Sequence, residues 1–391
     1  MEETGLQDLL KRTRTNLKAT QNYKEAILET QLSFIVVATP SLRDGSFSNE
    51  YLKKALHRIA DVLKIKHSYH LVVITSTVMP QTTEKVAKFI LERDSSKKCG
   101  KDFGICYNPE FIALGSVIHD FLNPDFVLIG EMNKKDGDIL ETIYKKTCEN
   151  NPRCARMSPV NAEITKIALN CYITTKITFA NSVASICEKV KGADAGVILE
   201  ALGLDSRIGS KYIRPGLGYG GPCFPRDNVA FSVFAKNLGM RAKLAEIVDE
   251  VNKEQIRRVV KRIEEILSDK KKTKSQMHIG ILGLSYKPNS PVIEDSQALN
   301  ITQLLVNEEY NLKVYDPQAM DNVRHILGDK VKYAKDKYDC LKDVDLGVIL
   351  VPWKEFKDLN FKKLNKKILI LDCWRILKTN ERKIIYLGKG Y

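Results

Sequence analysis

Residues 207–227 read Arg-Ile-Gly-Ser-Lys-Tyr-Ile-Arg-Pro-Gly-Leu-Gly-Tyr-Gly-Gly-Pro-Cys-Phe-Pro-Arg-Asp, with glycines at 216, 218, 220 and 221 and prolines at 215, 222 and 225. Glycine loses the most freedom on ordering and proline lacks a donor, so this spacing predicts a loop that is neither helix nor strand. Such a loop brings backbone close to a ligand and projects Cys223. A thiolate there is an apt nucleophile, and Arg226 nearby in sequence favours the ionised form. The competing reading is a small buried hydrophobe, the common fate of a free cysteine; the polar, glycine-rich surroundings favour the nucleophile. The six histidines (57, 67, 70, 119, 278, 325) show no H-E-x-x-H or other ligand spacing, which argues against a metal. A base serving Cys223 is then a carboxylate, a lysine or a water.

Lys166 and Asn170 are four residues apart in a helical stretch and so share a face. Their neighbours Ile164, Ile167, Ala168, Leu169, Cys171 and Tyr172 are mostly apolar. A lysine beside buried surface is disfavoured in its charged form, which suits proton transfer or oxyanion stabilisation. The plain alternative is a lysine reaching out to solvent beside the helix. Lys287, in the strand-to-helix turn GILGLSYKPN, is either a phosphate ligand or a surface lysine.

These residues need elements to hold them. The first third alternates β-rich runs, SFIVVATP (33–40), HLVVITSTVMP (70–80), FGICYNPEF (103–111) and DFVLIG (125–130), with amphipathic stretches at 50–65 and 81–93. That alternation predicts βαβ units and a parallel sheet covered on both faces. Polar or turn residues close three of the runs: Thr39-Pro40-Ser41, Ser76-Thr77 and Asn108-Pro109-Glu110. Three such ends on one sheet predict a shared cleft at the carboxyl edge, where open sheets bind ligands. A helical segment follows, opening at Ser158-Pro159, with a second helix at about 229–267 and a lysine-rich linker. Strands return at 278–284, 313–316, 345–351 and 366–373. The order is α/β, helical, α/β: two doubly wound Rossmann-like parallel-sheet domains joined by a central helical domain.

The chain has 391 residues, 43% of them hydrophobic, and a net charge of +14. This composition excludes disorder and predicts two or three domains. No apolar run approaches the ~20 residues that span a bilayer, and no signal peptide opens the chain. The nine scattered cysteines, with no C-x-x-C pair, fit reduced thiols in a cytosol. The chain is therefore expected to be soluble and cytoplasmic. Basic residues are interleaved with acidic ones, so nucleic acid is an unlikely partner, and an anionic small molecule or a lysine-rich surface accounts for the excess. One feature is missing. Gly5 is the only glycine before Gly45, so no G-x-G-x-x-G turn precedes the first strand.

NPEF (108–111), TKIALN (165–170), the 207–227 loop, ILGLSYKPN (281–289), VYDP (314–317) and VPWKEF (351–356) occur in the order found in nucleotide-sugar dehydrogenases of the UDP-glucose/GDP-mannose type, and the chain resembles that family from about Gly5 to its end. The resemblance implies a shortened NAD-binding Rossmann-like domain (1–155), a central helical dimerisation domain carrying the Cys loop (156–268) and a UDP-binding Rossmann-like domain (269–391). It implies a step of nucleotide-sugar metabolism that serves polysaccharide biosynthesis: oxidation of a UDP-hexose C6 alcohol to a carboxylate with two NAD+ and a water. Cys223 would hold a thiohemiacetal and then a thioester, and Glu110 would assist the hydrolytic water. Lys166 and Asp227 would hold that water or the oxyanion, with Thr77 and Asn170 close by. Substrate contacts would come from Phe111, Ile112, Ala113, Leu114, Lys166, Asn170, Arg207 (reaching a neighbouring subunit), Arg214, Gly218, Tyr219, Gly220 and Lys287. Cofactor contacts would come from Thr39, Pro40, Thr77 and Cys223. A homodimer or higher homo-oligomer would form through the central helix.

Four departures accompany the resemblance. The opening strand, glycine turn and ribose-binding acid have no counterpart, which predicts that about one βαβ unit is missing before Met1. Leu114 stands where a glutamate is often found, Glu294 replaces an arginine after KPN, and Trp374 occupies an expected arginine position, with Arg375 one place later. The alternatives are an inactive nucleotide-sugar-binding remnant without an NAD site, or a dehydrogenase for a UDP-N-acetylhexosamine or GDP-mannose.

Overall fold

Strand β2 (His70–Ile74) shows how the first sheet is covered: successive side chains point to opposite faces, and both faces are apolar. Val72 and Ile74 pack with helix residues Leu52, Leu56, Ile90 and Leu91, while Leu71 and Val73 pack with Leu140 and Tyr144. In the computed structural model, which describes residues 3–365, 368–378 and 383–391, the chain divides into two units, 1–169 with 229–241, and 170–228 with 242–391.

The first unit runs α1 (Leu6–Thr13), α2 (Tyr23–Leu28), β1 (Leu32–Ile35), α3 (Glu50–Leu63), β2, a π-helical turn (Thr83–Lys88) leading into α4 (Phe89–Ser95), β3 (Phe103–Tyr107), α5 (Val117–Leu122), β4 (Phe126–Glu131), α6 (Lys134–Thr147) and β5 (Arg153–Met157). Its sheet order is β1-β2-β3-β4-β5. Three pairings are parallel as expected, but β3 and β4 pair antiparallel, with Cys106 opposite Glu131 and Tyr107 opposite Gly130. A continuous apolar run buries equally well in either direction, so its composition carries no sign of the reversal. β1 also stops at Ile35 instead of Pro40. The Val37 N–H leaves the ladder for Ser76 Oγ (2.8 Å), and Val36 is 74% exposed.

The connecting helices are α7 (Pro159–Cys187), α8 (Ala195–Leu204), α9 (Phe224–Asn237) and α10 (Lys243–Leu267), and the division between units falls inside α7 and α9. Pro159 opens α7 as expected. The helix expected at 229–267 is two helices: Gly239, at φ +74°, ends α9, and Met240 N–H bonds back to the Ala235 carbonyl. Helix α9 also begins inside the proline-rich stretch that the sequence assigned wholly to loop. Pro225 occupies its first turn, where its missing N–H costs nothing.

The second unit continues with β6 (His278–Leu282), α11 (Gln297–Asn307), β7 (Asn311–Tyr315), α12 (Met320–Leu327), β8 (Lys332–Tyr333), α13 (Lys337–Leu341), β9 (Leu346–Ile349), α14 (Lys354–Lys357), β10 (Leu369–Asp372) and β11 (Ile384–Tyr386). The start of the strand expected at 366–373 lies partly outside the described residues. All pairings in the order β11-β10-β9-β6-β7-β8 are parallel. The order reverses between β6 and β9, the switch point at which a doubly wound sheet takes its ligand. Lys287 lies on the loop leaving β6.

Candidate active site

In the first unit the ends of β2 and β3 are tied to side chains of α6 and α7. Lys166 is 8% exposed; its Nζ donates to the Glu110 carbonyl (2.6 Å) and lies 4.4 Å from the Phe111 ring centre. Tyr144 Oη donates to Glu110 Oε1 (3.0 Å) and Asn108 Oδ1 (2.6 Å). Burial pushes the Glu110 carboxyl above the usual carboxylate range, against the opposing effects of the Tyr144 hydrogen bond and the Lys166 charge. A carboxyl raised in this way is suited to proton transfer nearer neutral pH. Thr39 Oγ1 donates to the Thr77 carbonyl (2.8 Å), so these two expected cofactor residues meet, while Pro40 beside them is exposed. Ser76, part of the expected cleft, instead accepts from Val37 N–H and donates to the Val37 carbonyl. Ile112 and Ala113 are exposed and Leu114 is half-buried.

Glu163, one turn before Lys166, escaped the sequence reading. It is fully buried and accepts from Gln81 N–H (2.5 Å), Thr83 N–H (2.8 Å) and Thr83 Oγ1 (2.7 Å), so it seats the chain that follows Thr77. An acid in the apolar run before TKIALN was the available signal. Tyr144 carried none.

In the second unit Cys223 is exposed, and its carbonyl accepts the N–H of Asp227 (2.9 Å), which puts it at the cap of α9. Helix amides there present positive charge toward the sulfur's end of the helix. Asp227, 1% exposed, accepts from Asn170 Nδ2 (2.6 Å); Arg226 Nε lies 3.9 Å from its other oxygen. Burial, with a further contribution from the Cys223 sulfur, pushes the Tyr286 phenol up to about 12.

The loop glycines are packed closely against the protein. An added Cβ at Gly216 would meet the Trp374 ring (2.7 Å), at Gly218 Asn252 Oδ1 (2.3 Å), at Gly220 the Asp295 carbonyl (2.1 Å) and at Gly221 the Tyr286 ring (2.4 Å). The close approach that excludes side chains is therefore to the protein itself. Arg214 is exposed and Tyr219 buried. Arg207 is exposed and holds Asp205 (2.7 Å). Lys287 is half-buried beside the Tyr286 ring. Arg375, the candidate stand-in for the missing arginine, is committed to Asp194 (2.6 Å) and the Leu387 carbonyl, and Trp374 donates to the Leu350 carbonyl (2.8 Å).

Among the described residues no group of three or more His, Cys, Asp and Glu could hold a metal, and no helix is long and apolar enough to cross a membrane.

Three family models match in succession: the NAD-binding domain of the UDP-glucose/GDP-mannose dehydrogenase family over residues 1–148, its central domain over 160–254 and its UDP-binding domain over 280–379. The first match begins at residue 1, so the expected loss of a βαβ unit from the first domain is not supported. UDP-glucose 6-dehydrogenase AglM of Haloferax volcanii is 35% identical over 387 residues, covering 97% of this chain and 88% of that protein. UDP-glucose 6-dehydrogenase TuaD of Bacillus subtilis is 34% identical over 384 residues, covering 97% and 80%. The structure of a UDP-glucose dehydrogenase from Pyrobaculum islandicum superposes with a TM-score of 0.88 at 32% identity, covering all of this chain and 87% of that one. The expected α/β class with Rossmann-like sheets and a helical centre agrees with that structure.

Proposed function

The chain belongs to the UDP-glucose/GDP-mannose dehydrogenase family, and from that premise we propose that it oxidises the C6 alcohol of UDP-glucose to the carboxylate of UDP-glucuronate, consuming two NAD+ and one water. NAD+, when bound, accepts the two hydrides. Whether this chain suits it can be judged at the carboxyl ends of β1 and β2. Exposed Val36 and Pro40 offer apolar surface beside the joined Thr39 and Thr77, which fits a nicotinamide-bearing ligand at that edge. No G-x-G-x-x-G occurs within 1–148, so we assign no residue to the pyrophosphate.

The observation that carries the reading is an exposed Cys223 at the cap of α9, one turn from a buried Asp227 bonded to Asn170. In the proposed chemistry the Cys223 sulfur adds to the C6 aldehyde and gives a thiohemiacetal, which retains a reactive intermediate. At the acid level of oxidation the sugar carbon is a Cys223 thioester. Glu110 takes a proton from the water that attacks it, the C–S bond breaks, and the carboxylate leaves. Lys166, Asp227 and Asn170 stabilise the oxyanion or hold the water. Arg214, Gly218, Gly220 and Lys287 contact the nucleotide-sugar.

The reading includes a cytoplasmic homodimer. Tyr172, Phe179 and Ile186, seven residues apart along α7, are 66%, 53% and 67% exposed, and a heptad-spaced apolar stripe of this kind suits a second copy. Arg207, held by Asp205, is the residue proposed to reach the neighbouring subunit.

The deciding assay is NADH formation from UDP-glucose, UDP-N-acetylglucosamine and GDP-mannose. UDP-glucose is expected to be the productive substrate. Cys223→Ser should abolish net turnover and leave UDP-glucose binding largely intact; a fully active Cys223→Ser protein refutes the covalent route.

A further inference from the structure

Helix α10 buries one stripe, and two positions on it are not apolar: Val248, Asn252, Gln255, Val259 and Ile263 are all buried, with Asn252 and Gln255 each 5% exposed. A buried carboxamide is costly unless its donors and acceptor are used. Both are used on the loop that precedes Cys223. Asn252 Oδ1 accepts the Tyr219 N–H (2.9 Å), and Asn252 Nδ2 donates to the Tyr219 carbonyl (2.9 Å), so one side chain pairs with both backbone groups as a neighbouring strand would. Gln255 Nε2 donates to the Gly216 carbonyl (2.7 Å), while Asn181 of α7, 4% exposed, accepts the Gly216 N–H (2.9 Å). The direction of the Gln255 amide is itself fixed. Arg258 Nε, which can only donate, bonds Gln255 Oε1 (2.8 Å) and so turns the amino end toward the loop; Glu188 holds Arg258 in turn (2.6 Å). Gly218 lies against Asn252 so closely that a Cβ would come 2.3 Å from its oxygen.

We propose that Asn252, Gln255 and Asn181 are positioning residues for the nucleotide-sugar: three buried carboxamides act as a surrogate strand that fixes the backbone of residues 216–219 in its substrate-binding conformation. This rests on the proposed role of that loop in binding UDP-glucose. Apolar residues at 252 and 255 would bury more hydrocarbon but would take away the partners of the Tyr219 N–H and the Gly216 carbonyl, leaving Gln297 on the Tyr219 carbonyl and Asn181 on the Gly216 N–H.

The test uses Asn252→Asp and Gln255→Glu, which keep shape and replace each amino donor with an oxygen facing a carbonyl, together with Asn252→Ala. Amide hydrogen exchange of residues 214–221 and steady-state kinetics are measured on variants shown by melting to be folded. Exchange should quicken in the loop, and KM for UDP-glucose should rise about tenfold or more, a loss of about 1.4 kcal/mol. KM for NAD+ should stay within about twofold. A residue that merely supports the fold would lower the melting temperature without separating the two KM values. Unchanged loop exchange, or quickened exchange with an unchanged KM for UDP-glucose, overturns the proposal. If the unaltered protein neither binds nor oxidises UDP-glucose, the functional reading fails instead, and the exchange measurement still decides whether the carboxamides hold the loop.

Discussion

Tyr144→Phe removes one oxygen and should move the acid limb of the pH–rate profile. The Tyr144 hydroxyl stabilises the charged form of Glu110 from 3.0 Å while also holding Asn108 at 2.6 Å. Glu110 is already raised by burial, and the Tyr144 hydrogen bond is one of the two influences that hold it down, the other being the Lys166 charge. Removing the bond therefore raises the carboxyl further. A hydrogen bond to a charged group is worth about 1.5–3 kcal/mol. Because this one is longer and shares its donor with Asn108, the low end applies, about 1.5 kcal/mol, or about one pH unit. If Glu110 acts as the base, kcat should be lost on acidification about one unit earlier than in the unaltered protein, with the plateau at high pH largely kept. The assay is NADH formation from UDP-glucose across pH 5–9, with melting curves to confirm folding, since the substitution also orphans the Asn108 oxygen. A folded Tyr144→Phe protein whose acid limb stays put, or moves to lower pH, refutes Glu110 as the titrating base.

Two further outcomes follow from other contacts. His70 is fully buried, and because Nδ1 faces the Thr30 carbonyl (3.2 Å) it carries the proton there, leaving Nε2 to accept from Ser33 (2.9 Å). Burial, with Lys66 nearby, lowers its pKa from 6.5 to about 4. The unfolded chain takes up a proton first on acidification, so stability is whole above about pH 6.5 and falls by about 3 kcal/mol on the way to pH 4; urea unfolding should show this slope, and a His70→Gln protein with the same slope would count against it. Gly220→Ala should destabilise by about 1–3 kcal/mol and reduce UDP-glucose binding, because the new Cβ would lie 2.1 Å from the Asp295 backbone carbonyl, which has little room to give. Wild-type unfolding and binding in that variant would mean the loop has slack there.

Much of this was legible in the residues. The apolar runs at 70–74, 103–107 and 278–282 became strands, Pro159 opened a helix, and the 207–227 loop marked Cys223 before any contact was known. Side-chain patterning reports burial, which these elements share. It does not report strand direction, so the antiparallel turn between β3 and β4 was invisible, and it does not report where a ladder is abandoned, so β1 was drawn five residues too long. The glycines of the loop are expected from sequence to bring backbone close to a ligand; the structure places them where a Cβ cannot fit. What excludes it, the protein's own Trp374, Asn252, Asp295 and Tyr286, is set by residues 34 to 158 positions away in the chain.

By itself, then, the sequence determined which residue types are available for chemistry and which segments bury apolar surface, because both depend on local spacing. Tertiary structure alone decided the state and setting of those groups. Tyr144 comes from helix α6 to oppose the effect of burial on Glu110 in the loop after β3, and Glu163 reaches across to seat the chain after Thr77. Asn252 and Gln255 carry no signal in the sequence that sets them apart from other polar residues of a helix; folding buries them against a backbone. Hydrogen bonds and desolvation act through space over a few ångströms, and only the folded chain sets those distances.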